Sequence, residues 1–230
     1  APNAGVNATT TVCSNGGSFA LFGLLTGGAQ TGGTWNGPGG AHSGFYVPST
    51  DAPGDYFYTV IGTTPCAADV AVVTVFENAV ANAGSSNSIA LCSGGASVNL
   101  LTALGSTPSP TGTWTGPAPS TTTFNGVFIP GTTTAGMYTY TVLGTAPCPN
   151  ATASVTVSVN QPPSAGTSAV ITVCSNTPAF ALIDRLGGTP ALNGTWTTPP
   201  PVGPFSGVFT PGVSAPGIYT YTVAGTAPCG

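Results

Sequence analysis

The chain has 230 residues, of which only 3% are charged, and its net charge is −4 with one basic residue and one histidine. Without lysine, and with Arg185 as the single fixed cation, it lacks the charges that hold nucleic-acid phosphates or anionic lipid headgroups. No apolar run approaches the roughly 18 residues needed to cross a bilayer, so we expect no membrane insertion.

Glycine and proline are abundant, at 34 and 23 residues, yet 41% of the chain is hydrophobic. A disordered chain lacks such apolar content. We therefore interpret the glycines and prolines as turns between the strands of an all-β protein. The chain starts at Ala1 without an initiator methionine or a signal-like segment, which predicts a mature or excised segment.

In chain order, the same landmarks recur in three blocks, which predict domains over 1–78, 79–160 and 161–230. Each block has a first cysteine, a Gly-Thr-Trp, a Gly-x-aromatic-x-Pro, a Gly-x-Tyr-x-Tyr-Thr-Val and a closing Pro-Cys. The first cysteines are Cys13, Cys92 and Cys174, and the closing ones are Cys66, Cys148 and Cys229. A repeat of this length and pattern predicts a tandem array.

Within a block, large apolar residues alternate with Thr or Ser, as in Tyr138-Thr139-Tyr140-Thr141-Val142. A period of two predicts half-buried strands. We expect six or seven short strands per block, and helix at most near 181–186. This pattern is typical of a β-sandwich. The invariant aromatic residues are predicted to form the cores: Trp35, Trp114, Trp196, Tyr58, Tyr140 and Tyr221.

Because each block holds two cysteines at matching places, the economical pairing is one disulfide per block. It joins Cys13 to Cys66, Cys92 to Cys148 and Cys174 to Cys229. A zinc site would need clustered Cys and His ligands, which the sequence lacks, whereas free buried thiols remain the alternative. Persistent disulfides predict an extracellular or cell-surface location.

The Cys–Trp–Cys order resembles immunoglobulin-like modules, and the Gly-x-Tyr-x-Tyr-Thr-Val strand is similar to that of PKD-like repeats. Such repeats occur in large secreted bacterial adhesins and gliding-associated surface proteins. In immunoglobulin domains a tyrosine stands two residues before the second cysteine, whereas here Tyr58, Tyr140 and Tyr221 stand eight residues before it. The disulfide should therefore tie a strand end to a turn. The resemblance implies spacing, adhesion or assembly and supplies no catalytic residues.

Catalysis needs groups with tunable protonation, and the chain is nearly empty of them. A triad would have to use His42, which we interpret as a surface loop residue. Asp51 and Asp55 could bind calcium weakly, but the second block has no acids at the equivalent positions, which favours solvated turn acids. We therefore expect no enzyme activity, metal or cofactor.

The tryptophans could instead stack on sugars, which makes a carbohydrate-binding array of a secreted protein the alternative function. Their placement after Gly-Thr in every block favours a core role. Asn-x-Ser/Thr sites at Asn7, Asn150 and Asn193 are candidate glycosylation sites.

Two differences between blocks predict self-association, as a homopolymer or a longer array. The outward side of the last strand of the first block carries Val70, Val72 and Phe76, an apolar interface for a neighbouring block or subunit. The third block lacks a last strand before Gly230. Either the chain is a window on a longer array, or a neighbour supplies the strand by β-augmentation. We expect a structural or adhesive subunit of a surface filament, stalk or matrix.

Overall fold

A computed structural model describes residues 1–117, 119 and 122–230. The first repeat consists of seven short strands, broken where Gly, Pro and Asn form turns. The strands are β1 (Ala8–Cys13), β2 (Phe19–Ala20), β3 (Thr34–Gly37), β4 (Gly40–His42), β5 (Phe45–Tyr46), β6 (Gly54–Val60) and β7 (Asp69–Asn78).

The first repeat is a small sandwich of a five-stranded sheet, in the order β1-β7-β6-β3-β4, and the pair β2-β5. All neighbours in the large sheet are antiparallel except β1 and β7, which run parallel. Buried and more exposed side chains alternate along β6 and β7, so one side of each strand faces the core. Tyr56, Val73 and Val75 of that side pack against Leu21 and Tyr46 as one buried cluster.

The second repeat has the same plan. Its strands are β8 (Asn87–Cys92), β9 (Val98–Asn99), β10 (Thr113–Thr115), β11 (Thr123–Phe124), β12 (Val127–Phe128), β13 (Gly136–Val142) and β14 (Ala151–Asn160). They form a sheet in the order β11-β10-β13-β14-β8 and the pair β12-β9. As the alternation predicts, Tyr138, Tyr140 and Val142 are buried.

The third repeat has five strands among the described residues. They are β15 (Phe180–Ala181), β16 (Thr195–Thr197), β17 (Pro204–Phe205), β18 (Val208–Phe209) and β19 (Thr220–Thr222). They form a sheet β17-β16-β19 and the pair β15-β18. A 3₁₀ turn occurs in every repeat, at Leu21–Leu24, Leu100–Ala103 and Leu182–Arg185, and the last of these lies where the sequence indicated helix.

A packed tryptophan–tyrosine pair recurs in all three repeats and explains why each repeat contains the sequence Gly-Thr-Trp. In the second repeat Trp114 stands opposite Tyr140 across the sheet, and their ring centroids lie 4.9 Å apart. The Gly112 N–H donates to the Tyr140 hydroxyl at 2.8 Å, and that hydroxyl donates to the Ser109 carbonyl at 2.6 Å. The glycine is required because a Cβ there would lie 2.5 Å from Tyr140 Cζ.

The all-β, tandem immunoglobulin-like architecture predicted from the repeat is therefore confirmed. The chain divides into two compact units, and the second repeat contributes to both. The first comprises 1–87, 101–125 and 138–155; the second comprises 88–100, 126–137 and 156–230. No described helix is long and apolar enough to span a membrane.

The predicted disulfide pairing is wrong. Cys13 bonds to Cys148, with Cα atoms 5.0 Å apart, and Cys92 bonds to Cys229, at 5.1 Å. Each bond therefore joins a first cysteine to the closing cysteine of the following repeat. Cys66 and Cys174 are free and exposed, so the third predicted bond, between Cys174 and Cys229, is absent as well.

The direction of β1 explains why Cys13 bonds to Cys148 and not to Cys66. Because β1 is parallel to β7, Cys13 lies beside Asn78, at the far end of that strand. Cys66 precedes the near end, and a strand of 10 residues spans about 30 Å. A disulfide needs Cα atoms within about 7 Å. A bond within the repeat is therefore out of reach, and the next repeat supplies the partner.

Candidate functional site

The most distinctive surface of the third repeat is an open apolar groove of about 510 Å³. It runs along the segment 168–173 on one side and 216–219 on the other, and Trp196 and Phe209 also line it. Val170 is 98% exposed and Ile218 is 82% exposed. Exposed apolar residues gathered in this way mark a binding surface.

The groove opens onto residues that are core residues in the other repeats. Tyr219 occupies the repeat position of Tyr56 and Tyr138, both 1% exposed, yet Tyr219 itself is only half-buried. Phe209 is likewise half-buried, whereas its counterparts Tyr46 and Phe128 are fully buried. The core of the third repeat is thus partly uncovered along one side.

In the first two repeats the last strand, β7 or β14, occupies the place where the third repeat has the groove. Strand β14 inserts Ala153, Val155 and Val157, which are 4%, 0% and 2% exposed. The third repeat has no such strand among its described residues, and the flanking segments are correspondingly less regular. The strand containing its Tyr-Thr-Tyr-Thr-Val motif is 3 residues long, against 7 in the second repeat. No strand forms over 168–174, the counterpart of β1 and β8.

A second feature is the junction between successive repeats, which is built from the closing Pro-Cys turn. In the first compact unit the Asn78 side-chain amide donates to the Ala146 carbonyl at 2.8 Å, beside Cys148. In the second unit Asn160 donates to the Ala227 carbonyl at 3.1 Å, beside Cys229. Each asparagine ends the last strand of one repeat and holds the turn of the next.

The structure gives the predicted core residues different degrees of burial. Tyr58, Tyr140 and Trp114 are buried, whereas the remaining three, Trp35, Trp196 and Tyr221, are half-buried. In every repeat the tryptophan packs on its tyrosine, at centroid distances of 4.8, 4.9 and 4.9 Å. This packing favours a core role over a sugar-stacking one.

The residues of the predicted apolar interface are exposed to different degrees. Val70 is 50% exposed and Phe76 is 57% exposed, while Val72 is half-buried. Coverage by a neighbouring block or by another subunit stays a prediction.

Asp51 and Asp55 of the first repeat bind neighbouring backbone and side-chain groups. Asp51 accepts a hydrogen bond from the Val47 N–H at 2.6 Å and lies 3.5 Å from His42. Asp55 accepts from the Thr74 hydroxyl at 2.6 Å. Within the described residues, no three His, Cys, Asp or Glu side chains are grouped so that they could hold a metal ion.

The candidate glycosylation sites Asn7 and Asn150 also take part in local structure. The Asn7 side-chain oxygen accepts from the Val72 N–H at 2.8 Å, and that of Asn150 accepts from the Gly144 N–H at 2.9 Å. Asn193 is exposed.

Burial raises the pKa of Tyr46, and its hydrogen bond to the Glu77 carboxylate, 2.8 Å long, raises it further. Burial also raises the pKa of Tyr56, with smaller contributions from Asp51 and Glu77, and it alone raises that of Tyr138. A phenol with a raised pKa stays neutral in the folded state when the unfolded one ionises. The stabilisation is fully present below the unfolded pKa of about 10 and is lost as pH rises above it.

We therefore expect the free energy of unfolding to be nearly constant from about pH 7 to pH 9 and to fall steadily above about pH 10. Guanidinium chloride unfolding followed by tryptophan fluorescence measures this. The free thiols should first be alkylated, so that alkaline disulfide exchange does not contribute. Undiminished stability at about pH 11 would contradict buried, neutral tyrosines.

Comparisons with known proteins assign the chain to no family. Neither the family models nor the curated proteins include a match. Among solved structures, a titin I67–I69 variant is 16% identical, with 83% of this chain and 76% of that chain covered and a TM-score of 0.37. Sidekick-1 immunoglobulin domains 1–4 are 13% identical, with a TM-score of 0.24 over 70% of this chain. The match spans about half of the Sidekick-1 chain, 53%.

The chain thus falls in the class of tandem immunoglobulin-like β-sandwich proteins. The class is assigned from the strand pairing and repeated cores described above, since similarity at this level carries no further information.

Proposed function

We propose that this chain is a secreted, non-enzymatic structural or adhesive repeat protein that is extended into a filament, stalk or matrix by strand addition at the groove of the third repeat. The occupant of the groove is a β-strand of the repeat's own kind. Such a strand carries Ala or Val at alternate positions and ends in asparagine, as β14 does. Bacterial surface arrays of immunoglobulin-like and PKD-like repeats are the setting that the sequence resembles.

The single observation that carries this proposal is the partly uncovered core beside the groove. Tyr219 and Phe209 stand at positions that the last strand covers in the other repeats, and Ile171 and Val173 are each 40% exposed. A strand placed there would satisfy backbone groups on both sides by β-augmentation. It would also remove a large apolar area from water, at about 25 cal/mol per Å².

The chemistry of the chain supports an extracellular setting. Two disulfides link neighbouring repeats. Such bonds persist in oxidising surroundings. The single Arg leaves trypsin one cleavage point, which suits a long-lived external material.

The proposal is tested with a synthetic peptide of residues 151–160, ATASVTVSVN, added to the full chain. We expect saturable binding by calorimetry and a rise in Tm, because the ligand binds the folded state. Chemical shifts or hydrogen exchange should show protection at 168–174 and 217–223. A control peptide carries Ser at the positions of Val155 and Val157, whose side chains would enter the groove.

The control peptide should bind at least about tenfold more weakly, since each lost apolar side chain removes about 1.5 kcal/mol or more. Equal binding of both peptides, or protection elsewhere in the chain, would contradict strand addition at this groove.

A further inference from the structure

The two disulfides overlap along the chain. Both follow a staggered pairing, in which the cysteine at the end of the first strand of one repeat bonds to the closing Pro-Cys turn of the next. Cys92 therefore lies inside the loop closed by Cys13 and Cys148, and Cys148 lies inside the loop closed by Cys92 and Cys229. Overlapping bonds constrain the chain differently from bonds that follow one another.

The overlap leaves three covalent paths between the two disulfides, namely the segments 13–92, 92–148 and 148–229. At about 3.3–3.6 Å per residue, the middle segment reaches about 19 nm when fully extended, and the outer two reach about 27 nm and about 28 nm. Because all three segments join the same two bonds, they always span the same distance. The middle segment is the shortest and therefore limits how far the two disulfides can separate.

The overlap also decides how a pull on the chain ends is carried. Such a pull passes from one disulfide to the other, and between them it is divided among the three segments. The two bonds cannot move apart unless all three segments unravel. Bonds within the repeats would instead leave the repeats in series, so that each repeat would carry the whole load and could unravel alone. Forced unfolding depends on the rate at which the loaded structure opens, and a divided load slows it.

The fold protects both bonds from reduction. Cys13, Cys148 and Cys229 are 7%, 5% and 2% exposed. Thiol–disulfide exchange needs access of a thiolate to a sulfur atom, so buried bonds exchange slowly. The side-chain amides of Asn78 and Asn160 also hold the two closing turns that carry the bonded cysteines. The folded repeats thus maintain the covalent connection between them.

We propose that the chain has a mechanical function as a tether of limited extension. Under tension the overlapping disulfides divide the load among three segments and stop the extension at about a third of the length of the linear chain. The bonds themselves and the residues outside them add about 6 nm to the middle segment, which gives a limit of about 25 nm, against about 80 nm for the reduced chain. This function goes beyond strand addition, since it uses the two internal bonds and not the groove.

The experiment stretches single full-length chains in optical tweezers by handles joined to peptide tags at both ends, and it measures the total contour length at high force. Every chain carries Cys66→Ser and Cys174→Ser, so that no free thiol exchanges with the bonds. We expect about 25 nm for the oxidised chain and about 80 nm after reduction with a phosphine, a roughly threefold difference.

The matched controls remove one bond at a time from the same chain. Cys13→Ser/Cys148→Ser leaves one closed loop and should give about 32 nm, and Cys92→Ser/Cys229→Ser should give about 33 nm. The two values are close because the two loops span 135 and 137 residues. The contour length depends on covalent connection alone, so it can be read even from a variant that unfolds easily.

A contour length near 60 nm for the oxidised chain would overturn the proposal. With Cys66 and Cys174 replaced, that value corresponds to a single bond within the second repeat, between Cys92 and Cys148. Equal contour lengths before and after reduction would overturn it as well. Peptide binding at the groove is a separate measurement, so failure of the tether leaves strand addition standing, and failure of strand addition leaves the tether standing.

Discussion

Replacing Cys13 and Cys148 together by serine is expected to lower the free energy of unfolding of the chain by about 2–5 kcal/mol. The bond spans 135 residues. Closing so long a loop restricts the unfolded chain strongly in the chain-entropy model. Chemical denaturation and calorimetric Tm measure the loss. The double replacement leaves no new thiol to exchange with the remaining bond.

The matched control is Cys66→Ser, which changes an exposed free thiol and should leave stability within about 0.5 kcal/mol. The same variant separates the staggered pairing from pairing within repeats, because a Cys13–Cys66 bond would be lost in it. Thiol titration of the native chain should find two reactive cysteines, Cys66 and Cys174. A loss in Cys66→Ser as large as in the double variant would contradict the staggered pairing.

The strands were predictable because their burial follows a local period. The alternation of β14 in sequence is also its alternation in burial, with Ala153, Val155 and Val157 inside. The Tyr-rich strand follows the same rule at Tyr138 and Tyr140. For such segments the local pattern and the final packing agree, and the sequence alone suffices.

The cysteine pairing was not predictable in the same way, because it depends on strand direction. A block with one cysteine of each kind gives the same spacing whether the bond is made within the repeat or to its neighbour. The pairing is decided by the parallel arrangement of β1 and β7, which is a feature of the tertiary structure and not of the cysteine spacing. The available signal was the length of the alternating run between Cys66 and Asn78, which separates the closing turn from the end of the strand.

The candidate site was predictable in position but not in extent. The described residues of the third repeat include no counterpart of β7 or β14, and this is where the groove lies. The sequence does not indicate that Tyr219 and Phe209 are left half-buried or that the flanking segments lose regular pairing. Those consequences follow from packing, since a sheet strand is stabilised by both of its neighbours.

Replacing Gly112 by alanine is expected to destabilise the chain by about 3 kcal/mol, although alanine is usually neutral or favourable in a loop. The added Cβ would lie 2.5 Å from Tyr140 Cζ and 2.6 Å from the Thr141 carbonyl oxygen. One of these neighbours is backbone and the other is a ring fixed by two hydrogen bonds, so neither can move cheaply. Urea unfolding measures the loss.

Gly94→Ala is the control in the same repeat, because a Cβ at Gly94 would meet no atom within 4 Å. It should change stability by less than about 0.5 kcal/mol. Gly33 and Gly194 make the same hydrogen bond to Tyr58 and Tyr221, each at 2.8 Å, so alanine there should be damaging as well. If Gly112→Ala were as silent as Gly94→Ala, the close approach of glycine and tyrosine would not be what fixes Gly-Thr-Trp in every repeat. The three copies of the motif would then need a different physical cause.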